Sequence, residues 1–152
     1  MKMSNVSSMS DLSGMDPAAA TPFLNKGFGE VLGLEYTELS GDRVRATWTV
    51  RPELYQPAGI MNGGVHCAVV ETLASIAGSI WLGDRGHVVG VNNNTDFLRA
   101  TRDGVLYAEA TPVHRGRTQQ LWQVAVVDER DRLVAKGQVR LANVTDTDRL
   151  GG

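Results

Sequence analysis

The sequence predicts one α+β domain, an antiparallel sheet curled around a long central helix, and three observations carry that expectation. The segment GGVHCAVVETLASIAGSIWLG is apolar on nearly every face, contains no proline and stops at Gly83, which describes a covered helix of about five turns. After it the chain reads as four strands, Val88 to Leu98, Val105 to His114, Gln119 to Asp128 and Leu133 to Asn143, spaced by short turn sequences. The length of 152 residues, 42% of them hydrophobic and 21% charged, leaves room for one sizeable core and excludes a second catalytic domain.

Taken in order, residues 1–20 are rich in Ser, Met and Ala without a sustained period, and are expected to form a disordered leader, with helix at most near its end. From Thr21, a capping residue before Pro22, the apolar Phe23, Leu24 and Phe28 predict one or two helical turns broken by Gly27 and Gly29. Val44, Ala46, Trp48 and Val50 alternate with Arg43, Arg45, Thr47 and Thr49 beyond Ser40-Gly41-Asp42, the pattern of a half-buried hairpin over Tyr36 to Val50. Arg51 to Gly64 carries two prolines and three glycines and reads as a structured loop leading into the long helix. Glu71 and His66 inside that helix argue against a membrane span. The later strands are separated by Arg102-Asp103-Gly104, Arg115-Gly116-Arg117 and Glu129-Arg130-Asp131, and in the last one Leu133, Ala135, Gly137, Val139 and Leu141 share the dry face. The expected domain spans 21–145, with a flexible tail over 146–152.

Fifteen Lys and Arg against 17 Asp and Glu give a formal charge of -2, which excludes a chain-wide basic field for nucleic acid or anionic lipid. Any anion must be bound locally. A single cysteine, Cys67, excludes an intramolecular disulfide and a multi-cysteine metal site. No apolar run of signal-peptide length follows Lys2, and a cytoplasmic location is expected.

Glu71 is the most informative residue, because it interrupts an apolar run on a helix that must be covered. Burial would raise its pKa towards that of a base useful near neutrality, or hold the carboxylate off balance as a nucleophile. The bland alternative is a carboxylate paired with a buried arginine or capping a polar network. Ser75 lies one turn further on the same face and Ser79 another turn on, placed to orient water or substrate, or simply to allow close packing. Gly63 and Gly64 open the helix, where unpaired N–H groups and the positive dipole end can receive a carbonyl oxygen as an oxyanion hole does. Gln56 and Asn62 can donate amide hydrogens towards the same point. His66 and His114 have no partner at metal-ligand spacing and read as structural or solvent-facing, and no metal is expected. Cys67 reads as a small packed hydrophobe.

QPAGIMNGGVHCAVVETLASIAG resembles the loop–helix signature of the hotdog-fold acyl-CoA thioesterases. Within them it is similar to the branch of the phenylacetate-pathway enzymes and the Glu-dependent 4-hydroxybenzoyl-CoA and 1,4-dihydroxy-2-naphthoyl-CoA thioesterases. The resemblance continues through VVGVNNNTDFLRAT, VLYAEATPVHRGRTQQLWQV and DERDRLVAKGQVRLANV. It implies a hotdog fold and hydrolysis of an aryl- or fatty-acyl-CoA to free acid and CoA. Glu71 would act as nucleophile or general base, the Gly63 N–H would polarise the thioester carbonyl, Gln56 would contact the thioester and Ser75 would stand one turn beyond the carboxylate. Asn62 occupies the place where many relatives carry histidine in an HGG motif, which keeps a hydrogen-bond donor and removes a titrating imidazole. No cofactor is implied, since CoA enters as part of the substrate. A basic rim for its phosphates is available in Arg99, Arg102, Arg115, Arg117 and Thr118, and Gly64, Met61, Phe97, Trp81 and Leu82 are candidates for lining the pocket. The resemblance also implies a homodimer or tetramer with sites at subunit interfaces. The reading of another class is an acyl-CoA-binding or regulatory protein of the same fold without turnover.

Overall fold

The computed structural model describes Val6 and residues 8–145. Helices α1 (Pro17–Leu24) and α2 (Phe28–Leu32) precede the hairpin β1 (Glu35–Leu39) and β2 (Val44–Thr49). The long helix α3 (Gly63–Leu82) follows, and then four strands, β3 (His87–Phe97), β4 (Val105–Arg115), β5 (Gln119–Val127) and β6 (Leu133–Val144). All six strands form one antiparallel sheet in the order β1-β2-β4-β5-β6-β3, so β3 crosses over to pair with β6 and leaves its other edge free. This is the expected helix-in-sheet arrangement.

Residues 8–20 depart from the expected leader. A short 3-10 turn at Met9–Leu12 packs against α3 and places Leu12 in the core at 0% exposure. Ala20 is buried with it and Met9 and Met15 pack against the same core, so several apolar contacts spread along the segment offset the cost of ordering it. Residues 1–5 and 7 and the tail over 146–152 lie outside the described residues. Helix α1 also starts earlier than expected: Asp16, not Thr21, is its N-cap and accepts from the Ala19 N–H at 3.2 Å, with Pro17 in the first turn and Pro22 inside the helix. Gly27 breaks the chain between α1 and α2 at φ +72°, whereas Gly29 lies within α2.

The sheet presents Trp48, Leu106, Trp122, Val124, Val139 and Leu141, all buried, to one side of α3. It does not cover the helix on all sides. Cys67, Glu71, Thr72, Ser75 and Ser79 form a half-buried stripe, because a curled single sheet wraps only part of a cylinder. A bulge at Val134 opposite Val126 and Val127 also reverses the phase at the start of β6, so Val134 is buried and Leu133 faces solvent.

Helix and sheet approach closely at Gly78. A methyl group there would collide with Leu141 Cδ1 and come within 2.8 Å of Gln120 Oε1. Gln120, 1% exposed, donates from Nε2 to the Gly78 carbonyl at 3.3 Å and to Asn143 Oδ1 at 2.8 Å, and accepts from Trp122 Nε1 at 2.8 Å. In an open helix Gly→Ala gains about 1 kcal/mol. Here overpacking outweighs that gain, and Gly78→Ala is expected to cost about 1–3 kcal/mol. Urea denaturation checks it as a lower midpoint at unchanged slope.

Candidate active site

The loop before α3 is pinned at several points. The Asn62 N–H donates to the Leu54 carbonyl at 2.8 Å and the Met61 N–H to the Thr101 carbonyl at 2.8 Å, while the Gln56 N–H donates to the Ile60 carbonyl at 2.9 Å. Asn62 is the N-cap of α3: its Oδ1 accepts from the Gly64 N–H at 2.8 Å and its carbonyl from the Val65 N–H at 3.0 Å. These bonds satisfy first-turn donors and, among the described residues, leave the Gly63 N–H without a partner. The Gln56 side-chain oxygen accepts from the Ala58 N–H, so its NH2 group remains available.

Gly63 opens onto a cleft of about 430 Å³ lined by Gln56, Met61, Asn62, Gly64, His66, Phe97 and Arg99, among others. The Phe97 ring lies directly over Gly63, where a methyl group would come within 2.6 Å of it. His66, expected to be structural or solvent-facing, forms part of the cleft wall at 4% exposure. Its ring stands edge-on to Trp48 at 6.3 Å and stacks on Phe97 at 6.0 Å. His66 Nδ1 is buried without a hydrogen-bond partner, as is Trp48 Nε1.

Glu71 lies elsewhere. Eight residues along α3 from Gly63, it stands roughly 12 Å further up the axis, beneath β3. It is half-buried, and among the described residues no cation pairs with it, which disposes of the buried ion pair. Its Oε2 accepts from Asn93 Nδ2 at 3.2 Å, and that same amide donates to the Cys67 carbonyl at 3.0 Å, tying the carboxylate to the helix. Gly90 lies against Oε1 so closely that any β-carbon would displace it. Ser75 is half-buried one turn on. The chain therefore holds two candidate groups roughly 12 Å apart along α3, donors at its start and a carboxylate near its middle.

Asn93 and Gly90 were not legible as site residues, and the reason is a bulge at Val91. Val88 and Gly90 face the helix, and after the extra residue Asn93, Thr95 and Phe97 do. Of the expected phosphate contacts, Arg99 lines the cleft and continues with Arg102, Arg130 and Arg132 into an adjoining recess of about 260 Å³. The turn carrying Arg115, Arg117 and Thr118 stands at the other end of α3. Arg115 packs over Trp81 there and pairs with Asp42 at 2.7 Å.

Burial lowers the His66 pKa to about 4, from 6.5 in the exposed residue, so the ring is neutral near pH 7. The unfolded chain takes up this proton first. Stability is thus expected to fall as pH drops through 6.5 and to go on falling down to about 4, by roughly 3 kcal/mol in total. His66→Phe keeps a ring between Trp48 and Phe97 and removes the titration. Its urea midpoint should decline less than the wild type's between about pH 7.5 and 4.5, and parallel declines would assign the acid sensitivity to another group.

The Thioesterase superfamily model matches residues 58–135, which include α3, the last residues of the loop before it and three of the strands that wrap it. The chain is 38% identical over 103 residues to the proofreading thioesterase EntH of Cronobacter turicensis, covering 68% of this chain and 75% of that one. Among solved structures, it is similar to the esterase Rv1847/MT1895 of Mycobacterium tuberculosis (53% identity, TM-score 0.76, 78% of this chain and 96% of that one). It is also similar to the thioesterase HI1161 of Haemophilus influenzae (31% identity, TM-score 0.81, 86% and 92%). With the six-stranded sheet around α3 and the unpaired donor at its start, these likenesses place the chain in the hotdog-fold thioesterase superfamily, whose chemistry is thioester hydrolysis.

Proposed function

We propose that the protein hydrolyses an acyl-CoA, aryl or fatty acyl, to the free acid and CoA, by the chemistry of the Glu-dependent branch. The observation that carries this reading is the unpartnered Gly63 N–H opening onto a cleft, on the same helix as a carboxylate free of any cation. Thioester carbonyls lack much of the resonance protection of esters. One or two fixed donors for the oxyanion and one positioned carboxylate, acting as base on water or as nucleophile, therefore suffice. Gln56 adds a second donor and Ser75 orients water or substrate beside Glu71. Asn93 and Gly90 are positioning residues for that carboxylate. CoA enters with the substrate, its phosphates met by Arg99 and Arg102, and a cytoplasmic location suits such a substrate.

The separation of the two groups along α3 supports a composite site completed by a second copy. Among the described residues β3 pairs only with β6, and its free edge and exposed Val89, Val91 and Phe97 form an uncovered, partly apolar strand, which soluble proteins pair or hide. Two copies joined along β3 bring Glu71 of one towards the Gly63 cleft of the other. Higher assembly would be needed for the Arg115 to Thr118 turn to reach a CoA phosphate.

Glu71→Gln keeps size and hydrogen bonding while removing charge and basicity. Turnover of acyl-CoA, followed by thiol release, is expected to fall roughly 10² to 10⁴-fold at little changed melting temperature. Gly90→Ala should displace the same carboxylate and lower turnover at least about tenfold, again with the fold kept. Unchanged turnover in a stable Glu71→Gln protein would leave the non-catalytic acyl-CoA-binding reading. Sedimentation is expected to give a mass of at least two chains, against 16.4 kDa for one, and an active monomer contradicts the composite site.

A further inference from the structure

The cleft wall contains a polar group that the proposed chemistry does not use. His66 is 4% exposed, held between Trp48 and Phe97, and among the described residues neither ring nitrogen has a hydrogen-bond partner. Nδ1 is sealed from solvent, so the ring serves the cleft through its opposite edge, Nε2. A sealed nitrogen without an acceptor is better left as a bare lone pair than as an orphaned N–H, which places the single proton of the neutral imidazole on Nε2. The result is a rigid, uncharged donor facing the same space as the Gly63 N–H.

Resting on the acyl-CoA reading above, we propose that His66 is a specificity-determining residue that hydrogen-bonds an oxygen substituent near the thioester end of the acyl group. The helix sets the reach. His66 lies three residues beyond Gly63, about 4.5 Å along the axis, a span suited to an oxygen on the β-carbon, or ortho on an aryl ring, when the thioester carbonyl occupies the Gly63 N–H. Trp48 and Phe97 fix the ring, so little rotamer freedom is lost on binding. A plain hydrocarbon in the same place strips water from the Nε2–H and offers nothing in return. Sites built around such a donor discriminate strongly against the analogue lacking the acceptor.

The test uses the full-length protein and two substrate pairs, 3-hydroxybutyryl-CoA against butyryl-CoA and 2-hydroxybenzoyl-CoA against benzoyl-CoA. The wild type is expected to favour the oxygenated member of at least one pair by tenfold or more in kcat/KM. His66→Phe should reduce that preference at least tenfold, with the loss falling on the oxygenated member. His66→Gln, which restores a donor, should recover part of it, and melting curves establish that both variants are folded. Absence of preference in both pairs overturns the proposal. So does an equal loss on both members in His66→Phe, the result expected if His66 only packs, holds a water or touches the pantetheine arm. Calorimetry with the corresponding non-hydrolysable thioethers reads the same ratios without turnover. A protein that hydrolyses none of the four substrates therefore defeats the hydrolytic reading, while the affinity ratios still decide this one.

Discussion

The structure depends on how closely the sheet can approach α3. A helix this apolar has no stable place except against an apolar surface, and glycines at the contact, Gly78 on the helix and Gly90 and Gly137 on the strands, let the two come together. At Gly78 the contact is fixed by Leu141 and the Gln120 network. The stripe that carries Cys67, Glu71 and Ser75 stays half-buried, with the carboxylate held beneath β3.

The polar groups on and around α3 differ in how they are satisfied, and the difference sorts them by role. Gln120 is saturated by Gly78, Asn143 and Trp122, as expected of a group that specifies packing. The Glu71 carboxylate is held by one amide and one steric stop, enough to aim it without neutralising it. The Gly63 N–H and His66 are left open, and both face the cleft. Unpartnered groups also occur away from the cleft, at Tyr36 and Trp48, and it is the adjoining cleft that sets Gly63 and His66 apart.

Much of this was legible in the sequence. The helix limits, the hairpin and the four later strands follow from period and turn chemistry, and Gly63 and Glu71 stand out as backbone donor and misplaced charge. What escaped notice did so for identifiable reasons. The bulge at Val91 switches the inward phase from Val88 and Gly90 to Asn93, Thr95 and Phe97, and a strict alternation cannot show that. His66 reads from the sequence as structural or solvent-facing, because the missing partners and the cleft beside it appear only in three dimensions. Leu12 lies in a segment whose composition carries no ordering signal, and tertiary contacts of Leu12, Ala20, Met9 and Met15 order it.

The cap on α3 has a consequence for how the chemistry can be tuned. With Asn62 bound to Gly64, the electrophilic end of the site consists of backbone and an amide, groups that neither gain nor lose a proton across the range in which proteins stay folded. Its strength is set by the direction of the chain alone. That end of the site is therefore tuned by geometry, and proton activity enters the cleft through the neighbouring His66 imidazole, whose buried ring stays neutral near pH 7.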